Sequence, residues 1–201
     1  MTSSRRDRQK QDKLRRIREA AWALFRERGF DGTTTRAIAE RADIGTGTLF
    51  LYAKDKSDLL FLVFNDEIAG VAEARFSSVP TDGPLLPQLV HVFRGFLEIY
   101  ADVRPLARRF IQLLVHMEGE NRAAYEAMNL KFFAGVAELV EAAKTRGELR
   151  AEADTLRVVV TLFAVYAFFV LTWLTIDPAQ SIEEGLAAMT PSLALVLDGA
   201  R

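Results

Sequence analysis

Two histidines, no cysteine and no serine–histidine–acid arrangement give this 201-residue chain little means of making or breaking covalent bonds. His91 and His116 could meet a metal together with Glu118, but the spacing matches no zinc pattern, and neither a metal nor a cofactor is expected. Neither a phosphate loop nor a dinucleotide fingerprint occurs, and no enzyme is expected. The residues that stand out are suited to gripping. In "DIGTGTLFLYAKDK", Asp43 to Lys56, the small residues Thr46, Gly47 and Thr48 run straight into Leu49, Phe50, Leu51 and Tyr52. Small residues let a bulky partner approach the backbone, and amide hydrogens at a helix N-terminus suit phosphate oxygens. The hydroxyls of Thr46 and Thr48 can bond a base edge or touch a thymine methyl. Tyr52 and Lys56 supply a hydroxyl and a cation to a phosphate strand.

Such groups need an element packed on one side and bare on the other. Over "TTTRAIAERADIGTGTLFLY", Thr33 to Tyr52, the pattern predicts two short helices. Ile38, Ala39 and Ala42 face inward from the first, and Leu49 and Tyr52 from the second. Asp43-Ile44-Gly45 turns the chain between them, giving a helix-turn-helix. Ala39 is small because the second helix crosses closely over it, and Ile44 plugs the angle. The free face of the second helix can enter a major groove.

Charge is distributed to match. Residues 1–56 hold 14 Lys/Arg against 8 Asp/Glu, whereas residues 57–201 hold 12 against 19, on a chain of net charge −1. A basic front on an acidic body is the asymmetry expected when one part meets a polyanion, although a solvated basic helix has the same composition. The leader, residues 5–18, holds eight Lys/Arg with Asp7 and Asp12. It is able to follow an adjacent minor groove, to add non-specific attraction or to stay disordered. It lacks the apolar run of a secretory signal, and the missing cysteine suits a reducing cytoplasm.

Nearly everything else reads as helix, about nine in all, with no period-two alternation and no repeat. Leu14, Ile17, Ala21, Leu24 and Phe25 make a stripe that Gly29 closes. A longer helix starts at Lys56, "SSVPTDGPLLP" (Ser77 to Pro87) is the clearest loop, and Pro105 starts a helix. Asn121 is expected to cap a long helix running to Arg146, ended by Gly147; Asp154 caps the next, which Asp177-Pro178 stops. Ser181 and Glu184 have capping-box spacing, and Pro191 is expected to kink or split the last helix. Val158 to Ile176 carries no charge and is long enough to cross a bilayer. Its threonines, tyrosine and tryptophan favour a helix buried by its own core and a partner chain, and no membrane role is expected.

The stretch Gly29 to Leu60 resembles the DNA-binding region of the TetR family of transcriptional regulators. The resemblance rests on "GF" at 29–30, "TTTRAIAERA" at 33–42, "GTLFLY" at 47–52 and "KSDLL" at 56–60. It implies an all-α protein with a three-helix helix-turn-helix domain over 1–56 and an effector-binding and dimerisation bundle over 57–201. It further implies a cytoplasmic homodimeric repressor of a double-stranded DNA operator, released by a small, largely apolar effector. Thr34, Thr35, Tyr52 and Lys56 would meet phosphates; Arg36, Thr46, Gly47, Thr48 and Leu51 would lie near base edges. The sequence departs from the usual pattern at Asp43, where glycine is common, and at Gly45, where serine caps. Leu51 stands where a polar residue is frequent and Ala53 where an aromatic is. Asp tolerates a left-handed backbone better than most residues, so the turn should survive.

One such module contacts few base pairs, so pairing is expected. Asp154–Ile176 and Ser181–Leu197 are more apolar than one small domain can bury, and two such helices from each chain would make a four-helix interface. The aromatic load lies in the same body. Core packing accounts for most of it, yet an apolar effector site also belongs there by resemblance. Its candidate lining is Phe93, Phe96, Tyr100, Arg108, Gln112, His116, Tyr125, Asn129, Phe132, Tyr166 and Trp173. The alternative from another class is a small-molecule-binding helical protein or enzyme whose head is an interaction module; it predicts no salt-dependent affinity for DNA.

Overall fold

The computed structural model describes residues 5–176 and 179–201. It is all-helical, with nine α-helices among the described residues: α1 Arg5–Arg28, α2 Thr35–Arg41, α3 Thr46–Leu49, α4 Lys56–Ser77, α5 Leu85–Asp102, α6 Arg104–Leu113, α7 Gly119–Thr145, α8 Thr155–Thr175 and α9 Ile182–Asp198. A 3-10 turn, Leu114–His116, follows α6.

Local chemistry sets most helix ends. Gly29, at φ 70°, closes α1, and its N–H reaches the Phe25 carbonyl at 2.9 Å. Past α7, Gly147 takes φ 73° while its N–H and that of Glu148 return to the Lys144 and Ala143 carbonyls, the paired bonds that terminate a helix through a left-handed residue. Asp154 accepts from the Arg157 amide at the start of α8, and Ser181 with Glu184 forms a full capping box on α9. The expected stop at Asp177-Pro178 lies outside the described residues.

Three expectations are corrected. Asn121 does not cap α7, which begins at Gly119; its side-chain amide is drawn instead to the Asp58 carbonyl and carboxylate, at 3.0 and 2.7 Å. The loop after α4 is shorter than expected because Leu85 and Pro87 are already helical. The Glu148 carboxylate accepts from the Leu85 amide at 2.8 and 3.0 Å, and Pro87 sits in the first turn, where a missing N–H costs nothing. Of the kink or split expected at Pro191, the split is absent: α9 runs on through it. The carbonyl one turn back belongs to exposed Ala187, where water can serve it.

The chain packs as two compact units. The first comprises the chain up to Glu67 with Pro105–Ala123, and the second comprises Ile68–Arg104 with Ala124–Arg201. The first therefore extends past residue 56, since α1 with two helices as short as α2 and α3 buries too little alone. Leu59, Leu60, Val63 and Phe64 of α4 fill its core. Phe110 of α6 stacks on Phe64 at 4.5 Å, and Trp22 meets Phe64 edge-on at 5.6 Å.

In the second unit α9 packs against α5 and α8. Arg94 of α5 forks onto Glu183 of α9 at 2.6 and 2.9 Å, and Arg75 pairs with Glu98. Gly185 lies against Trp173, where an added Cβ would sit 3.1 Å from the indole. Helix α8 is long and apolar enough to cross a membrane by length and composition, with 39% of its apolar window buried.

Candidate nucleic-acid interface

Thr34 caps α2, its hydroxyl oxygen accepting from the Ala37 amide at 3.1 Å. Thr33 turns inward and donates to the carbonyls of Gly29 and Leu24 at 2.8 and 3.1 Å, which ties the start of α2 to the end of α1. Thr35 is half-buried and Arg36 exposed, with the Arg36 guanidinium held by Glu40 one turn on at 2.9 Å.

The turn between α2 and α3 is made by Asp43 at φ 53°. With the chain left-handed there, the Asp43 and Ile44 amides reach back to the Glu40 and Ala39 carbonyls at 3.2 and 3.0 Å. Arg16 of α1 lies 3.6 Å from the Asp43 carboxylate. The departure from glycine is thus accommodated in the same turn geometry. Gly45 opens α3 without a side-chain bond, and its carbonyl accepts from Thr48 and Leu49 at 2.8 and 3.1 Å.

Helix α3 is a single regular turn that tightens as it ends. The amides of Leu51 and Tyr52 bond three residues back, to Thr48 and Leu49. Leu49 is fully buried and Ala53 nearly so, which fixes the turn against the core. The other side is open: Gly47 is exposed, Thr46 and Thr48 are half-exposed, and Leu51 is 82% exposed. A Cβ placed on Gly47 would meet nothing within 4 Å, so the fold itself does not require glycine there. Phe50, which the sequence reading left out, is 49% exposed beside Leu51. Its signal was the unbroken apolar run, which one buried face cannot absorb.

Beyond the turn, Tyr52 is half-buried and the Lys56 ammonium lies 4.4 Å from the Phe30 ring centre, donating to the Asp31 carbonyl at 3.4 Å. Lys54 bonds Glu118 at 3.2 Å, and its amide donates to Asp58 at 3.0 Å. No periodicity marks Lys54 and Glu118 as partners.

The candidate effector residues divide. Phe93, Phe96, Phe132 and Tyr166 form one aromatic cluster in the second unit, with Phe93 stacked on Tyr166 at 4.7 Å and Phe96 edge-on to Phe132 at 5.6 Å. Tyr100 joins it through a hydrogen bond to Tyr166, and burial pushes both phenols well above the usual tyrosine range. Tyr125 and Asn129, half-buried, share a face of α7 with Phe132. Trp173 is occupied elsewhere: its indole N–H donates to the Gln180 and Ser181 carbonyls, with the Arg104 guanidinium 3.8 Å from the ring. Arg108, Gln112 and His116 belong to the first unit and are exposed. Leu106, Ala107 and Phe110 take the buried side of α6, which turns Arg108 and Gln112 to solvent. His91 meets Ser78 at 3.1 Å, and no group of three metal-ligating side chains occurs among the described residues.

Comparison with known proteins places this geometry. The family model "Bacterial regulatory proteins, tetR family" matches residues 17–63. An HTH-type transcriptional regulator of Staphylococcus aureus is 43% identical over 53 residues, 26% of this chain, and the match spans only 29% of that relative's length. Among solved structures, Bacillus subtilis FadR in complex with stearoyl-CoA is 18% identical with a TM-score of 0.68, over 92% of this chain and 98% of that one. The structure of Thermus thermophilus FadR, a TetR-family transcriptional repressor in complex with lauroyl-CoA, is 30% identical with a TM-score of 0.73, over 92% of this chain and 94% of that one. Because that likeness runs through both compact units and not only the helix-turn-helix, the chain belongs to the TetR family of transcriptional regulators.

Proposed function

We propose that the protein is a cytoplasmic, homodimeric repressor that α2 and α3 hold on an operator and that an acyl-CoA releases. The observation that supports the DNA-reading role most directly is the division within one turn of chain: Leu49 is sealed in the core while Thr46, Gly47 and Thr48 stay accessible. Arg36, Thr46, Gly47, Thr48 and Leu51 then reach base edges, and Thr34, Thr35, Tyr52 and Lys56 meet phosphates. Gly47 is explained by an approaching duplex, because nothing within the chain crowds it.

Pairing rests on α8 and α9. Leu156, Val160, Ala164, Ala167 and Leu171 make an exposed apolar stripe along α8, and Ala187, Ala188, Pro191 and Leu195 make one on α9. A second copy burying both stripes gives the four-helix interface and accounts for α8 without a membrane.

The effector class comes from the Thermus relative, bound to lauroyl-CoA. Aromatic rings with a buried phenol pair suit an acyl chain carrying a polar thioester. An acyl chain that enters by parting the Phe93–Tyr166 stack selects a rearranged second unit, and its differential affinity weakens DNA binding. Helix α4, unbroken from Lys56 to Ser77, is the lever.

The test is selection from a random duplex pool at low ionic strength, followed by titration of the bound complex with lauroyl-CoA. Retention of one sequence class and its release by lauroyl-CoA are expected. Failure to retain any duplex overturns the DNA role; retention without release overturns only the effector.

A further inference from the structure

The N-terminal half of α1 has no role in the core. Its first buried residue is Ile17 and Arg5–Asp12 are exposed throughout, so these first two turns are helical without sealing a side chain into the protein. A helix that buries no face is marginal in water. This one also places Arg5, Arg6 and Arg8 at the positive end of its own dipole, where cations are unfavourable. Sequence and stability are at odds here, which is the pattern of a surface kept for a ligand.

The charges sort into two sets. Arg15 is paired with Asp12 and Glu19 at 2.6 and 2.9 Å, Arg16 with Asp12 and Asp43 at 3.4 and 3.6 Å, and Arg18 with Asp66 at 2.9 Å. Arg5, Arg6, Arg8, Lys10 and Lys13 make no ion pair among the described residues. Arg6, Lys10 and Lys13, at helical spacing, line one wall of an open groove of about 660 Å³, together with Asp7 and Gln9; the other wall is Leu51 and Tyr52 at the end of the α3 turn.

We propose that this groove holds the sugar–phosphate backbone of one DNA strand just outside the bases read by α3, so that α1 lengthens the operator contact. This rests on the DNA-reading role proposed above. Arg6, Lys10 and Lys13 take phosphates and the Tyr52 ring lies against the adjoining deoxyribose, while Leu51 marks the edge where the groove passes to the bases. Arg6 to Lys13 covers about 10.5 Å along the helix axis; phosphates of one strand are about 3.4 Å apart along the duplex axis and farther apart along the strand itself, so at most about three fall within reach. Protein or membrane partners are not favoured, because the wall opposite the cations continues directly from the residues assigned to the major groove.

The experiment compares the full-length protein with the Arg6→Gln, Lys10→Gln, Lys13→Gln triple variant. The probes are the duplex recovered from the random pool, trimmed to its core, and the same duplex with half a helical turn of arbitrary sequence on each side. Wild type gains affinity from the flanks. The variant loses that gain, and its salt slope falls by about 0.9 for each phosphate contact removed, while the ranking of core sequences stays as in wild type. Its melting temperature is unchanged or slightly higher, since the lost cations oppose the helix dipole. A variant with wild-type affinity and salt slope on the flanked duplex overturns the inference and leaves the α3 reading intact. Changed ranking of core sequences also overturns it, because the helix would then touch bases. If wild type itself binds no duplex at low salt, both readings fall.

Discussion

The α3 turn and the aromatic interior of the second unit put their informative side chains in opposite places. Around α3, chain neighbours face opposite ways: Leu49 has no exposed surface and Leu51 is 82% exposed. In the second unit, Phe93 and Phe96 come from α5, Phe132 from α7 and Tyr166 from α8, and all four are buried. The base-reading surface proposed here is nearly contiguous in the chain, because α3 and the end of the turn before it present most of it. The interior proposed for the effector is collected from distant helices. The first can be altered without cost to the fold, and the second cannot.

The sharpest break in that comparison is Phe93→Ala. Losing the ring that stacks on Tyr166 should destabilise the protein by about 3–5 kcal/mol, seen as a lower denaturation midpoint. The ranking of duplexes by the surviving folded protein should not move; if it does, the two regions are not separable in the way proposed. Next is pH. With Tyr100 and Tyr166 raised by burial above the ordinary value of 10.0, folding is favoured below that pH and loses ground as pH rises past it, because only the unfolded chain releases the protons. The loss should approach about 1.4 kcal/mol per pH unit for each tyrosine, and Tyr100→Phe should flatten the decline in an alkaline denaturation series.

Gly47→Leu makes the opposite case. Open space around that position predicts an unchanged melting temperature, with duplex affinity lowered by more than about tenfold, or 1.4 kcal/mol. A fall in stability instead would show that glycine serves the fold. Smallest is the pair Lys56→Ala and Thr48→Ala. The lysine variant should weaken every duplex alike and reduce the salt slope by about 0.9, whereas the threonine variant should reorder sequences. Equal losses on all sequences for both would erase the division between phosphate and base contacts.

The same contrast governs what could be read in advance. The α2–α3 turn was legible down to its exception, since Asp43 takes the left-handed conformation a glycine would have supplied. Of the effector candidates, the aromatic residues on α5, α7 and α8 meet, but the polar ones on α6 do not. Being polar and near an aromatic run says nothing about the direction a side chain points. That direction follows from which side of α6 Leu106, Ala107 and Phe110 bury. The basic leader was equally undetermined. Its composition allowed disorder, and the structure makes it the first turns of α1.

Taken alone, the sequence determined helix type, most helix ends and the helix-turn-helix, because caps, left-handed residues and apolar spacing act over a few residues along the backbone. Tertiary structure alone decided that Pro105–Ala123 packs with the first unit, that Glu148 caps α5 from far along the chain, and that Asn121 bonds Asp58 rather than starting a helix. Those contacts satisfy backbone and side-chain polar groups across long stretches of sequence, where no local preference can signal the partner.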